Sequence, residues 1–152
     1  MSARRFSLDS NLLVYFYDGR DPQKQALAQQ LIAAAAACDC VIGLQAVGEF
    51  FAVSTRKGIL PRPDAGREAL NYLSAFPTFQ ATASAHRIAA REAVAGRFSY
   101  WDCVLVASAE EAGCTILLSE DMHEGARLGG ITVRHPFGPK GLSAAAAAAL
   151  AP

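Results

Sequence analysis

Four acidic residues, Asp9, Glu49, Asp102 and Asp121, each stand where a strand or an apolar run gives way to a helix. They sit in FSLDSN, AVGEFF, SYWDCVLVASA and ILLSED. Each carboxylate alone is ordinary. Four gathered in one place repel one another until a hard cation neutralises them, and oxygen-only ligation suits one or two Mg2+ or Mn2+ ions. Such a site acidifies a water and stabilises a leaving oxygen, which is the chemistry of phosphodiester hydrolysis. Ser10, Asn11 and Ser119 lie beside the acids and are suited to orient carboxylates or waters. Taken singly, Asp9 and Asp121 read equally as helix N-caps, Asp102 as the end of a capping box and Glu49 as a solvated helix residue. Joint placement at the same end of their elements is what marks them as a set.

That placement depends on the elements. Phe6–Leu8 reads as a first strand, with a helical turn or two over Leu12–Tyr17. Asp21-Pro22 opens a helix whose buried face is Ala28, Leu31, Ile32 and Ala35. Cys40–Leu44 reads as a second strand, followed by a helix from Gln45 to near Gly58. Asp64 is expected to cap the next helix, with a stripe of Ala69, Leu70, Leu73 and Phe76. Thr78–Thr82 is a weak strand, and a helix runs from Ser84 to about Phe98. Ser99–Asp102 has the form of a capping box before a helix, Cys103–Ala112, that is apolar over most of its circumference. Thr115–Leu118 and Ile131–Val133 are further strands. The alternation predicts an α/β fold of three layers, α/β/α, around a central, mostly parallel sheet of about five strands. In such sheets ligands bind at the carboxyl ends of the strands, where all four acids fall and where helix N-termini favour phosphates.

The 152 residues are read as a single domain over 1–142 with an Ala-rich tail, 143–152, that carries no function and reads as a frayed helix, a disordered end or a cloning remnant. A 52% hydrophobic, 18% charged composition is that of a globular protein, not a disordered one. Acidic and basic residues balance at 14 each, so any nucleic-acid contact must use a local basic patch. Two sets offer one: Arg56, Lys57, Arg62 and Arg67, and Arg87, Arg91 and Arg97 on one predicted helix. Both also fit a solvated face. Tyr15, Tyr17, Phe50, Phe51, Tyr100 and Trp101 read as core or dimer contacts rather than as stacking platforms. Cys38, Cys40, Cys103 and Cys114 and the histidines lack zinc spacing, and the cysteines read as reduced and buried in a cytoplasmic protein. No apolar run approaches the ~20 residues needed to span a bilayer.

The segments LDSN, QAVGEFF, SYWDCVLVASA and LLSED, in that order and spacing over Phe6–Phe137, resemble the PIN-domain family, and more narrowly the VapC-type toxins of bacterial toxin–antitoxin modules. The resemblance implies that Asp9, Glu49, Asp102 and Asp121 are the metal-binding and catalytic positions, with Asn11 and Ser119 supporting. It further implies a Mg2+- or Mn2+-dependent endoribonuclease, a homodimer, and a cognate antitoxin as partner. Gly48 and Cys103 depart from the family pattern, where Asn and Ala are common. A haloacid-dehalogenase-like site is opposed by Asn11 in place of a second Asp, and phosphate-binding glycine motifs are absent. A PIN-fold RNA-binding or scaffold protein without activity is the alternative.

Overall fold

The computed structural model describes residues 4–152, so the first three residues of the expected 1–142 domain lie outside it. Its central sheet has the order β1-β4-β6-β5. Strands β1 (Phe6–Leu8), β4 (Ile116–Leu118) and β6 (Ile131–Arg134) are parallel, and β5 (Arg127–Leu128) closes one edge antiparallel. Beyond the other edge, β2 (Ile42–Gly43) pairs in parallel with β3 (Thr78–Phe79). A single parallel bridge between Phe6 and Cys40 tethers that pair to β1. The four-stranded sheet is the mostly parallel sheet expected, one strand short of about five because β2 and β3 pair with each other, and β5 stands where the alternation placed a helix after β4.

The pleat divides the core in two. Phe6, Leu8 and Leu118 face one layer, where they pack with Leu12 and Leu13 of α1 (Ser10–Tyr15), Leu31 of α2 (Pro22–Ala35), Phe50 of α3 (Leu44–Arg56) and Tyr72 of α4 (Arg62–Ala75). Leu117, Ile131 and Val133 face the other, against Leu105, Val106 and Ala109 of α6 (Tyr100–Glu111). Helix α5 (Ala83–Val94) packs outside α6 through Ala89, Cys103 and Val104. Burying each such aliphatic side chain contributes about 1.5–3 kcal/mol, and the layers hold the strand ends in register. Gly43, just before α3, sits tightly in this packing: a Cβ there would meet the Leu105 side chain at 3.1 Å and the Phe79 ring at 3.2 Å, so both would have to shift by a few tenths of an ångström.

Several local expectations change. The second strand is shorter than Cys40–Leu44, because Leu44 already opens α3. Asp64 lies inside the first turn of α4; the N-cap is Pro61, which supplies no side-chain bond. That helix turns Ala65 and Tyr72 inward, with its C-cap Phe76, and leaves Leu70 at 65% and Leu73 at 39% exposure, because α3 covers the opposite face. Helix α5 ends at Val94, so Arg97 lies beyond it and pairs with Glu92. At α6, Ser99 Oγ accepts from the Asp102 N–H, the forward half of the expected box. Gly113, at φ +92°, stops that helix. Two further strands, β7 (Phe137–Gly138) and β8 (Gly141–Leu142), form a hairpin. Helix α7 (Ala144–Leu150) is capped by Ser143 and seats Ala146 in the core beside Leu31 and Ile32. All four cysteines are free thiols, and only Cys38 is partly exposed. Among the described residues, no helix is long and apolar enough to cross a membrane.

Candidate active site

Register brings the first two site residues together. Leu8 of β1 lies opposite Leu118 of β4, so Asp9 and Ser119 leave the sheet side by side. The Asp9 N–H bonds the Leu118 carbonyl at 2.9 Å. Ser119, fully buried, donates its hydroxyl to Asp9 Oδ2 at 2.6 Å. The other oxygen of Asp9 caps α1 by accepting the Ser10 N–H at 2.7 Å. The cap reading of Asp9 therefore holds, and capping fixes the carboxylate at the strand end.

Ser10 and Ser119 extend the network to two more acids. Ser10 Oγ donates to Glu49 Oε2 at 2.8 Å and lies 3.4 Å from Asp9 Oδ1. Ser119 Oγ accepts from the Asp121 N–H at 3.2 Å and from Asn11 Nδ2 at 3.5 Å. Asp9, only 5% exposed, has its carboxyl pushed up from 3.8 to about 6. Burial is the main cause, the Ser119 and Ser10 hydrogen bonds oppose it, and repulsion from Glu49 and Asp121 adds to it. Three of the four acids thus feel one another across residues far apart in the chain.

Asp102 joins less directly. It sits half-buried in the first turn of α6. The neighbouring Trp101 carbonyl accepts from Gln45 Nε2 at 3.2 Å, and the same Gln45 nitrogen donates to Glu49 Oε1 at 3.0 Å. Among the described residues, no three carboxylate, imidazole or thiol side chains close around a common ion position. The donor chemistry nevertheless fits a hard cation. Mg2+ keeps several waters and takes one or two carboxylates rather than a closed protein cage. Asn11 Oδ1 is moreover a buried acceptor without a partner, on the wall of the cleft beside the acids, where an unsatisfied oxygen costs about 1–3 kcal/mol. Asp9, Glu49, Asp121 and Asp102 are the residues able to hold such an ion.

Beside the acids runs a cleft of about 260 Å³ whose walls include Ser10, Asn11, Asp18, Arg56, Lys57 and Asp121. Arg56 and Lys57, expected as phosphate contacts, therefore lie against the acidic centre. Arg62 instead stacks over the Phe51 ring at 5.8 Å, and Arg67 is paired with Asp64 and Glu68. Arg87 and Arg91 are exposed on α5, away from this cleft. Glu120, beside Asp121, is tied down: Tyr15 Oη donates to it at 2.7 Å and Lys24 Nζ at 2.6 Å.

Asp18 in the cleft and Gln45 beside Glu49 escape sequence reasoning. Asp18 is buried and held by the Arg20 guanidinium through bonds of 2.8 and 2.9 Å, which lowers its carboxyl below the usual range. Its YDGRDP context signals only a turn. Gln45 links Glu49 to the start of α6, and its one visible signal is helical spacing, four residues before Glu49.

The family model for the PIN domain matches residues 7–123. Among solved structures, VapC20 of Mycobacterium tuberculosis, described as a toxin cleaving the sarcin-ricin loop, aligns with a TM-score of 0.63 at 16% identity, covering 76% of this chain and 89% of that one. A chain of VapBC2 from Rickettsia felis, bound to a fragment of promoter DNA, aligns at 0.60 with 12% identity over 86% and 98%. A toxin–antitoxin complex from Klebsiella pneumoniae gives 0.54 with 20% identity over 83% and 94%. At these identities the likeness is one of fold. No protein of curated function matches the sequence.

Proposed function

The chain belongs to the PIN-domain family, and from that premise we propose that it is a metal-dependent endoribonuclease, the VapC-type toxin of a toxin–antitoxin pair. The observation that carries the reading is the network on Asp9. A buried carboxyl raised to about 6 by burial and by two neighbouring acids is a poor structural arrangement and a good cation site. The toxin role draws support from the toxin and toxin–antitoxin structures that share this fold. A cognate antitoxin, a homodimeric state and a cytoplasmic setting belong to the same proposal.

The chemistry that Mg2+ or Mn2+ supplies when bound is acidification of the attacking water and neutralisation of charge on the phosphate. The chain's own residues do the rest. Asp9, Glu49, Asp102 and Asp121 provide the anionic donors. Ser119 and Ser10 fix the Asp9 oxygens, and Ser10 also fixes Glu49. Asn11 buttresses Ser119 and presents its free carbonyl oxygen. Arg56 and Lys57 hold the RNA phosphates in the cleft.

The test is cleavage of single-stranded RNA by the purified full chain with Mn2+ or Mg2+, with chelator, and by the Asp9→Asn variant. Cleavage only by the wild type with cation is expected, together with calorimetric Mn2+ binding that Asp9→Asn loses. A wild-type chain that neither binds Mn2+ nor cuts RNA overturns the reading in favour of a non-catalytic RNA-binding PIN protein. A short adjacent gene encoding a DNA-binding protein that copurifies with this chain and blocks cleavage distinguishes a toxin from a housekeeping ribonuclease.

A further inference from the structure

Trp101 is a large aromatic left 61% exposed, next to Asp102 in the first turn of α6. Its ring is braced edge-on by Tyr100, at 5.4 Å and 78°, and by His86, at 5.9 Å and 87°. Those two are locked to each other by a 2.6 Å contact between the His86 ring nitrogen and Tyr100 Oη. The ring is therefore held in place but uncovered. Arg87, beside His86, is exposed and makes no ion pair among the described residues.

This cluster is continuous with the acidic centre. Gln45 holds the Trp101 carbonyl and Glu49 with one amide nitrogen. Gln45, Glu49, Val53 and Arg56 follow one another at intervals of four, four and three, so they share one face of α3. At 1.5 Å per residue that face runs about 16 Å from Gln45 to Arg56. Val53, Arg56 and Lys57 at its far end line the cleft together with Ser10 and Asp121. One helix face thus carries an aromatic site at its start, a carboxylate one turn on and cations at its end.

We propose that Trp101 is a stacking platform for an unpaired base of the RNA, with the strand lying along α3 so that the scissile phosphate meets the acids and the next phosphates meet Arg56 and Lys57. The proposal rests on the nuclease reading and names its substrate class: single-stranded RNA, because only a splayed base presents its face to an exposed ring. Cations at one end and a braced aromatic at the other are the two elements of single-strand binding grooves. That combination favours nucleic acid over a protein partner on this face.

Trp101 is the sole tryptophan, so intrinsic fluorescence reports on this ring alone. Titrating a synthetic single-stranded oligoribonucleotide into the full-length Asp9→Asn variant is expected to quench it saturably, and a blunt duplex of the same sequence to quench it far less. In the otherwise wild-type chain, Trp101→Leu is expected to raise KM by about 5- to 150-fold with little change in kcat. Trp101→Phe keeps most of the affinity, and Val94→Ala, at an exposed site on α5, changes neither constant. Melting curves identify any variant that fails to fold, and the fluorescence titration needs no substitution at the ring. RNA that is cut with tryptophan unquenched and KM unchanged in Trp101→Leu overturns the platform and leaves the nuclease standing. Loss of self-association or of antitoxin binding in Trp101→Leu, with KM unchanged, assigns the ring to a protein interface and also overturns it. A wild type that neither binds nor cuts RNA removes the nuclease reading and the platform together.

Discussion

Replacing Asp9 by Asn in protein stripped of divalent cations is expected to stabilise the fold at neutral pH. The carboxyl is almost fully buried, and burial with the nearby Glu49 and Asp121 lifts it from 3.8 to about 6 despite the bonds from Ser119 and Ser10. Between about pH 4 and 6 the native state therefore keeps a proton that the unfolded chain has lost. Native stability falls as pH rises through that window, and the full cost is present above about pH 6. At 1.36 kcal/mol per unit, the shift amounts to about 3 kcal/mol at neutral pH. Asparagine resembles the protonated acid and recovers at most that much, which for a chain of this size is about 6–12 °C in Tm. The assay is thermal or urea unfolding of both proteins in chelator from about pH 4 to 7. The two curves should nearly coincide at the acid end and separate upward. Saturating Mn2+ at neutral pH should then stabilise the wild type alone, by mass action on a site the variant lacks. An Asp9→Asn variant that is less stable than wild type at neutral pH, and by the same margin at about pH 4, would refute the reasoning. It would mean that the Ser119 and Ser10 bonds outweigh burial and repulsion.

Other substitutions separate positioning from folding. Asp102→Asn should abolish cleavage while moving stability by no more than about 0.5 kcal/mol, because the cap bond at this position uses the Asp102 backbone N–H rather than its carboxylate; a large drop in Tm would assign Asp102 to the helix start instead. Ser119→Ala removes the hydroxyl that bonds Asp9, Asp121 and Asn11, and calorimetry should show Mn2+ affinity about 10- to 100-fold weaker. Unchanged affinity would show that the network is structural only. Arg56→Ala and Lys57→Ala should each weaken RNA binding in the cleft and reduce the slope of log affinity against log salt by roughly 0.7–1. A slope that does not change would place the RNA elsewhere.

Much of the site was visible as local pattern. Asp9 and Asp121 follow short buried strands, and Asp102 follows a serine cap, so each could be assigned to an element end from its immediate neighbours. Arg56 and Lys57 were legible as a basic pair but not as a cleft wall. Arg62 belonged to the same sequence cluster, yet it stacks on Phe51. The Leu70 and Leu73 stripe misled because helical periodicity gives a face without saying which neighbour covers it. Ala65 and Tyr72, not the leucines, meet the core. The aromatic residues near Asp102 were read as core or dimer contacts, and the exposure of Trp101 could not be seen without its surroundings.

By itself the sequence determined the alternating α/β order as far as β4, the helix caps at Asp21 and Ser99, and the placing of Asp9, Asp102 and Asp121 close to the ends of their elements; Glu49 lies in the second turn of α3 and no helix directly follows Asp121. These properties are written over a few neighbouring residues by hydrophobic period and capping chemistry. Tertiary structure decided which acids act on one another. Ser10 reaches Glu49 across 39 positions and Ser119 reaches Asp9 across 110. It also set Asp102 apart from the other three, with Gln45 bridging Glu49 to the carbonyl of the preceding Trp101 rather than to Asp102 itself, and left the Trp101 ring uncovered. Those outcomes depend on strand register and helix packing, where a shift of one residue turns a side chain to the opposite face.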